Sequence, residues 1–255
     1  MKINVLGCSG GLGGGLRTTA LRVDANTLLD CGTGVGDLPL EELFQIKHVF
    51  ITHSHLDHVA GLPLLIDTIY EKLIEEPLTV YCQAETYKVL MEHIFNWKIW
   101  PNFFCLPNEE NPVVQFVPMQ PEQSLVIDDK AFTMIEVEHT VPAVGYYVQD
   151  SNSSFAFSGD TAAAPKLWQA LNQQNKVDLL IVECAFADER SDIANQAKHF
   201  SPTSLANELN SLSHQPQICI SHLQPGEEDK IMQELRAVMP QRNIRSICSG
   251  DILFL

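Results

Sequence analysis

Positive charge is what this chain has least of. Lys and Arg together number 16 against 32 Asp plus Glu, a formal net charge of −16 at pH 7. Such a surface repels a phosphate backbone at long range, which argues against a general nucleic-acid binder. Small anionic substrates stay admissible where a local cation draws them in. Cysteines are few and scattered: the seven thiols at 8, 31, 82, 105, 184, 219 and 248 form no CxxC pair. Neither a disulfide framework nor a Cys-rich zinc site is expected. No stretch reaches the roughly 18 unbroken apolar residues of a membrane span. The opening Met1-Lys2-Ile3-Asn4-Val5-Leu6-Gly7 lacks the sustained apolar run of a signal peptide and reads as a strand. A cytoplasmic location without a membrane partner is the expectation. Low-complexity tracts, solenoid-period repeats and long linkers are missing too. With 45% apolar and 19% charged residues, disorder, collagen and coiled coil are excluded.

What is there alternates strand-like and helix-like segments from end to end. Content of β-branched residues and period predict eleven strands, at 1–6, 20–30, 47–53, 78–82, 113–117, 131–138, 144–149, 154–158, 178–183, 217–221 and 247–254. Helical patterns fill 59–75, 84–95, 163–173, 202–212 and 227–238, with Ser201-Pro202 and Asp160 placed like helix entries. Two sheets with helices outside follow. One irregular region, Pro101 to Pro121, is preceded and opened by Trp97, Trp100, Phe103 and Phe104. These aromatics read as a core plug or a homodimer contact, with a wall of a substrate pocket as the competing reading.

Chemistry concentrates in Thr52-His53-Ser54-His55-Leu56-Asp57-His58, directly after the apolar strand that ends at Ile51. Three imidazoles and a carboxylate within six residues cannot all face a core. A solvated cluster would not sit between an apolar strand and an apolar helix. Imidazole plus carboxylate suits zinc, manganese or iron, and His53 and His55, two apart on an extended segment, share one side. Asp57 and His58 lie past the turn and can serve a second ion. Two ions need more ligands than four. His139, Asp160 and His222 each stand where an apolar strand stops, the edge on which such sheets place functional groups. Singly each reads as a capping or turn residue; together with the cluster they read as ligands.

The spacing His-x-His-x-Asp-His, followed by isolated His, Asp and His, resembles the metallo-β-lactamase superfamily over the whole chain. That resemblance implies an α/β fold, a four-layer αβ/βα sandwich, with residues 1–255 as one hydrolase domain. It implies two divalent ions, zinc with manganese or iron as alternatives. One is held by His53, His55 and His139, the other by Asp57, His58 and His222, with Asp160 bridging and Asp57 also counted among the catalytic groups. Shorter motifs look like the class II cyclic-nucleotide phosphodiesterases: His53 to Leu62, Phe95-Asn96 through Ile99-Trp100-Pro101-Asn102, His199-Phe200-Ser201-Pro202, and Ile220 to Pro225. The implied activity is hydrolysis of a 3′,5′-cyclic nucleotide, cAMP or cGMP, to the 5′-monophosphate, with that small molecule as partner and no stable nucleic-acid partner.

By spacing alone His199 is a solvent-facing helix-entry residue. The resemblance makes it the donor of a proton to the leaving sugar oxygen, oriented or charge-tuned by Glu183. Asp30 reads either as an acceptor behind a ligand imidazole or as a turn residue. His48, His93 and His214 have no such company. Ribonuclease Z shares the metal motif, an element like Leu28 to Gly32 and a Glu and His beyond the bridging Asp, and is the alternative. Its tRNA-gripping arm is commonly inserted between the His and Asp that correspond to His139 and Asp160, here only about twenty positions apart. A non-catalytic nucleotide- or metal-binding module is the third reading, disfavoured by a complete set of seven ligands.

Overall fold

The computed structural model describes residues 1–255. Short apolar runs punctuated by turns give fourteen strands: β1 (Lys2–Gly7), β2 (Ala20–Val23), β3 (Thr27–Leu29), β4 (His48–Phe50), β5 (Leu78–Cys82), β6 (Val114–Pro118), β7 (Ser124–Ile127), β8 (Lys130–Val137), β9 (Ala143–Gln149), β10 (Ser154–Phe157), β11 (Leu179–Glu183), β12 (Gln217–Ser221), β13 (Ile244–Ser246) and β14 (Ile252–Phe254). They form two seven-stranded sheets, ordered β14-β1-β2-β3-β4-β5-β6 and β13-β12-β11-β10-β9-β8-β7. Nine α-helices intervene: α1 (Leu40–Leu43), α2 (Leu56–Val59), α3 (Gly61–Thr68), α4 (Tyr70–Leu73), α5 (Ala84–His93), α6 (Pro165–Asn172), α7 (Ser191–Ala197), α8 (Pro202–Leu209) and α9 (Glu228–Val238). None is long and apolar enough to cross a membrane.

Period-two alternation with apolar residues on both faces dictates the layering. In β11, Leu179 and Ile181 face the inner core while Leu180 and Val182 face a helical layer. The inner core joins the sheets through Val5, Leu21, Leu29 and Phe50 on one side and Phe132, Tyr146, Phe155 and Phe157 on the other. Outside the second sheet lie Trp168, Leu205, Ile231 and Leu235 of α6, α8 and α9. Outside the first lie Leu62, Ile66, Leu73 and Leu90 of α3, α4 and α5. The result is the expected four-layer sandwich. Each fully buried Leu, Ile or Phe here stabilises it by about 1.5–3 kcal/mol.

Strands β3 to β6 are mutually parallel, as are β10 to β13. β8, antiparallel to β9 as β9 is to β10, runs parallel to β10. Carboxyl ends of both sheets therefore open on one edge. Thr52 O accepts from Val144 N at 3.1 Å across that edge. Gly159, with φ +59°, lies so close that a Cβ there would meet Val144 O at 2.8 Å and Thr52 Cβ at 3.2 Å.

Several elements depart from the sequence expectations. The strand expected at 20–30 is a hairpin, β2 and β3, turned at Asp24 with φ +50°. The strand expected at 247–254 is only β14, because Cys248 to Gly250 turn back with Gly250 at φ +96°. The helix expected at 59–75 is broken into α3 and α4 at Ile69, whose φ and ψ of −105° and 15° are not helical. Asp160 is not a helix entry, since α6 starts at Pro165, a residue pre-set for a first helical turn. Ser201 does cap α8, its amide donating to Ser204 Oγ at 2.9 Å. Phe95 and Phe103 are buried, and Trp100 and Phe104 pack in the same outer core, so this segment is a plug there; Trp97 and Ile99 remain exposed.

Candidate metal centre

Beyond β4 the chain stays extended to His55, which stands at the N-terminus of α2, and the helix then carries Asp57 and His58. Gly32 makes this packing possible, because any Cβ there would lie 2.2 Å from Asp57 O. His139 follows β8, Asp160 follows β10 and His222 follows β12. His222 adopts φ +59°, a strained value for a non-glycine residue and typical of functional positions.

The structure brings these residues into two groups. Ligand atoms of His53, His55, His139 and Asp160 lie within 4.8 Å of one another, as do those of Asp57, His58, Asp160 and His222. Asp160 belongs to both. Its Oδ2 is 3.2 Å from His58 Nε2 and 3.7 Å from His53 Nε2, and its Oδ1 is 3.3 Å from His222 Nδ1. Asp57 Oδ2 is 3.5 Å from His58 Nε2 and 3.8 Å from His222 Nε2. His139 Nε2 faces His55 Nδ1 at 3.1 Å.

Partners behind the rings decide which nitrogen faces inward. The Thr52 hydroxyl is 2.9 Å from Asp30 Oδ2 and 3.0 Å from His53 Nδ1. Its single proton goes to the carboxylate, so His53 Nδ1 must donate and Nε2 keeps its lone pair. His58 Nδ1 donates to Asp30 Oδ2 at 2.7 Å, and His139 Nδ1 donates to the Lys198 carbonyl at 2.9 Å. Lys198 is itself held at φ +55°. His53 Nε2, His58 Nε2 and His222 Nδ1 are buried and make no hydrogen bond. Buried nitrogens converging unpaired on a shared carboxylate are a donor set that suits divalent metal ions.

The charge pattern agrees. Burial disfavours the charged rings of His53, well below the usual histidine range, of His55, and of His139, lowered to about 4; neutral imidazole is the form that ligates metal. Burial alone would raise Asp160, yet the positive field of His222 and His58 holds its carboxyl well below the ordinary range. Burial would likewise lower His58, but Asp160 and Asp30 raise it well above normal.

Beside Asp160 lies a third group, Glu183 and His199. Fully buried Glu183 ends β11 and accepts from Thr161 N at 2.9 Å, Phe200 N at 3.2 Å and His199 Nδ1 at 2.7 Å. Burial opposes charge on His199, but Glu183's charge and hydrogen bond outweigh it and lift the ring to about 9. Glu183 thus favours the protonated ring, whose centre lies 5.1 Å from that of His222 and 5.0 Å from that of His139. The candidate ligands, His199 and Glu183 all fall in this one region, and Asp30 is the acceptor behind His58, not a turn residue alone. Thr52, the Lys198 carbonyl and the Thr161 amide were not expected to take part. Only the position of Thr52, directly ahead of the motif, could have signalled its role.

Known proteins resemble this chain in sequence and in fold. A "Probable 3',5'-cyclic-nucleotide phosphodiesterase" of Yersinia pestis is 28% identical over 204 residues, 71% of this chain, which spans 57% of that relative's length. A ribonuclease Z of Methanococcus maripaludis is 33% identical over 102 residues, 40% of this chain and 31% of that protein. The crystal structure of unliganded yeast PDE1 superposes with a TM-score of 0.83 at 21% identity, covering 100% of this chain and 99% of that one, a likeness that speaks to the fold. The family model described as "Beta-lactamase superfamily domain" matches residues 25–239, and the chain belongs to the metallo-β-lactamase superfamily.

Proposed function

We propose that the protein is a phosphodiesterase that hydrolyses 3′,5′-cyclic nucleotides to 5′-monophosphates with two divalent ions, zinc before manganese or iron. In this reading His53, His55 and His139 hold one ion, Asp57, His58 and His222 the other, and Asp160 both. Such a pair, when bound, supplies Lewis-acid polarisation of phosphoryl oxygens and a lowered pKa for water. The chain's own residues do the rest. Asp30, Thr52 and the Lys198 carbonyl fix the ring orientations.

The observation that supports phosphodiester cleavage is the His199–Glu183 pair at 2.7 Å beside Asp160, and the one that carries the small-substrate reading is the short span between His139 and Asp160. A ribose 3′-alkoxide is a poor leaving group and needs a proton; a charged imidazole backed by a buried carboxylate can give one. Ribonuclease Z is the second reading, favoured by the relative of that name. Against it, β9, β10 and their turns fill the span between His139 and Asp160, and the net charge of −16 opposes RNA. The proposal also takes residues 1–255 as one hydrolase domain, supported by the core that both sheets share, and places it in the cytoplasm. The test is metal-loaded protein incubated separately with cAMP, cGMP, a 2′,3′-cyclic nucleotide and precursor tRNA, with products separated by chromatography. Formation of 5′-AMP or 5′-GMP is expected. Turnover of RNA alone would overturn the proposal.

A further inference from the structure

A polar partner stands behind each ligand imidazole but one. His53 and His58 have Thr52 and Asp30, His139 has the Lys198 carbonyl, and His55 Nε2 lies 3.4 Å from Thr140 Oγ1. His222 has no such partner. Both of its nitrogens look toward ligand carboxylates, Nδ1 at 3.3 Å from Asp160 Oδ1 and Nε2 at 3.8 Å from Asp57 Oδ2, so neither is left for an acceptor that would fix the ring from behind. Its backbone, at φ +59°, is costly as well and needs its surroundings to hold it there.

What holds it comes from the other sheet. Beyond β1, the segment Cys8 to Gly10 runs beside His222 and Leu223, with Ser9 bridged to Leu223. His222 N donates to Cys8 O at 2.6 Å, and Gly10 N donates to Leu223 O at 3.1 Å. These two bonds draw Gly10 against the ligand. A Cβ on Gly10 would lie 2.9 Å from His222 O, 3.1 Å from its ring Cδ2 and 3.3 Å from Nε2. The first distance is closer than carbon and oxygen pack, so any other residue must displace His222. The faces of the ring stack on His199 at 5.1 Å and on His58 at 5.6 Å between centres. Resting on the reading of this centre as an ion pair, we propose that Gly10 is a positioning residue: its bare backbone seats the His222 ring toward the second ion, a task that hydrogen bonds perform for the other imidazoles.

The test titrates cobalt(II), whose visible absorption reports its ligands, into metal-free wild type, Gly10→Ala, Gly11→Ala and His222→Ala. Gly11 adjoins Gly10, but a Cβ there meets only the Pro225 ring, 3.1 Å from Cγ, so Gly11→Ala controls for strain in the loop. His222→Ala supplies the spectrum of a centre that has lost this ligand. Gly10→Ala should bind one equivalent as wild type does and the other about 10- to 100-fold more weakly, the range for losing a group that orients a ligand. Its spectrum should move toward that of His222→Ala, while Gly11→Ala should match wild type. Undiminished affinity for both equivalents in Gly10→Ala, or an equal loss in Gly11→Ala, overturns the proposal. A second measurement needs neither variant nor ion: metal-free wild type should show a nuclear Overhauser effect between Gly10 Hα and His222 Hδ2, and its absence would mean that Gly10 does not seat the ring. If wild type never takes up more than one cobalt, the ion-pair reading falls, while the Overhauser effect still decides whether Gly10 holds His222.

Discussion

Thr52 carries no ligand atom, yet its hydroxyl fixes the tautomer of His53 and steadies Asp30, which in turn holds His58. One side chain thus orients a ring in each ligand group. Thr52→Val keeps the shape and removes the hydroxyl, leaving His53 Nδ1 unpaired in a buried place. Ion affinity should drop about 10- to 100-fold, the usual cost of losing a partner behind a ligand, as read by competition with a chelator while circular dichroism stays unchanged. An unaltered affinity would mean that His53 is oriented by packing alone. Glu183 sets the charge of the ring beside it. His199 donates only when charged, and its pKa near 9 means that the charged form is present at neutral pH and is lost as pH rises through about 9. Glu183→Gln keeps a hydrogen-bonding group but deletes the negative charge, so the alkaline limb of kcat should move to lower pH on a cyclic nucleotide. A nitrophenyl phosphodiester, whose phenolate leaves without a proton, should show that limb far more weakly. Equal limbs on both substrates would reassign His199 to charge stabilisation.

At the scale of elements, the segment Phe95 to Phe104 separates two readings. Phe103 is buried, 5.7 Å between ring centres from Tyr70 and 6.4 Å from Phe95, in the outer core under the first sheet. Phe103→Ala should cost about 3–5 kcal/mol by urea denaturation, as cavity-forming core substitutions do, and leave KM for a cyclic nucleotide unchanged in the folded fraction. A raised KM would return this segment to the substrate pocket. Some of these elements can be read directly in the sequence. Long apolar runs that stop at His53, His139, Asp160 and His222 are visible because strand and ligand are neighbours in the chain. The pairing of Glu183 with His199 spans sixteen residues and was reached only through the family resemblance. Thr52 meets Asp30 across 22 residues, and no local pattern announces such a contact. Missed elements are short or lightly buried: β7 shows no fully buried residue, and β13 is three residues long. Tertiary pairing, not propensity, makes them strands. The break between β2 and β3 sits at Asp24, φ +50°, where neither Gly nor Pro marks the turn.

For the whole molecule the governing quantity is the charge of −16, set against an ion centre that must receive an anion. The two fields have different reach. Surface carboxylates act over the Debye length, about 30 Å at 0.01 M salt and about 8 Å at 0.15 M, whereas ions at the buried edge act on a phosphate in direct contact. Raising salt therefore screens the repulsion that slows encounter and leaves the contact attraction largely intact. Stopped-flow or steady-state measurements on a cyclic nucleotide should show kcat/KM rising a few-fold from about 0.01 to about 0.15 M potassium chloride, with kcat level. An RNA substrate that neutralised several basic groups on binding would behave in the opposite way, losing affinity steeply over that interval. A fall in kcat/KM for the cyclic nucleotide would mean that the field at the mouth of the centre is positive at long range despite the net charge, and that the acidic surface plays no part in selecting small substrates over polyanions.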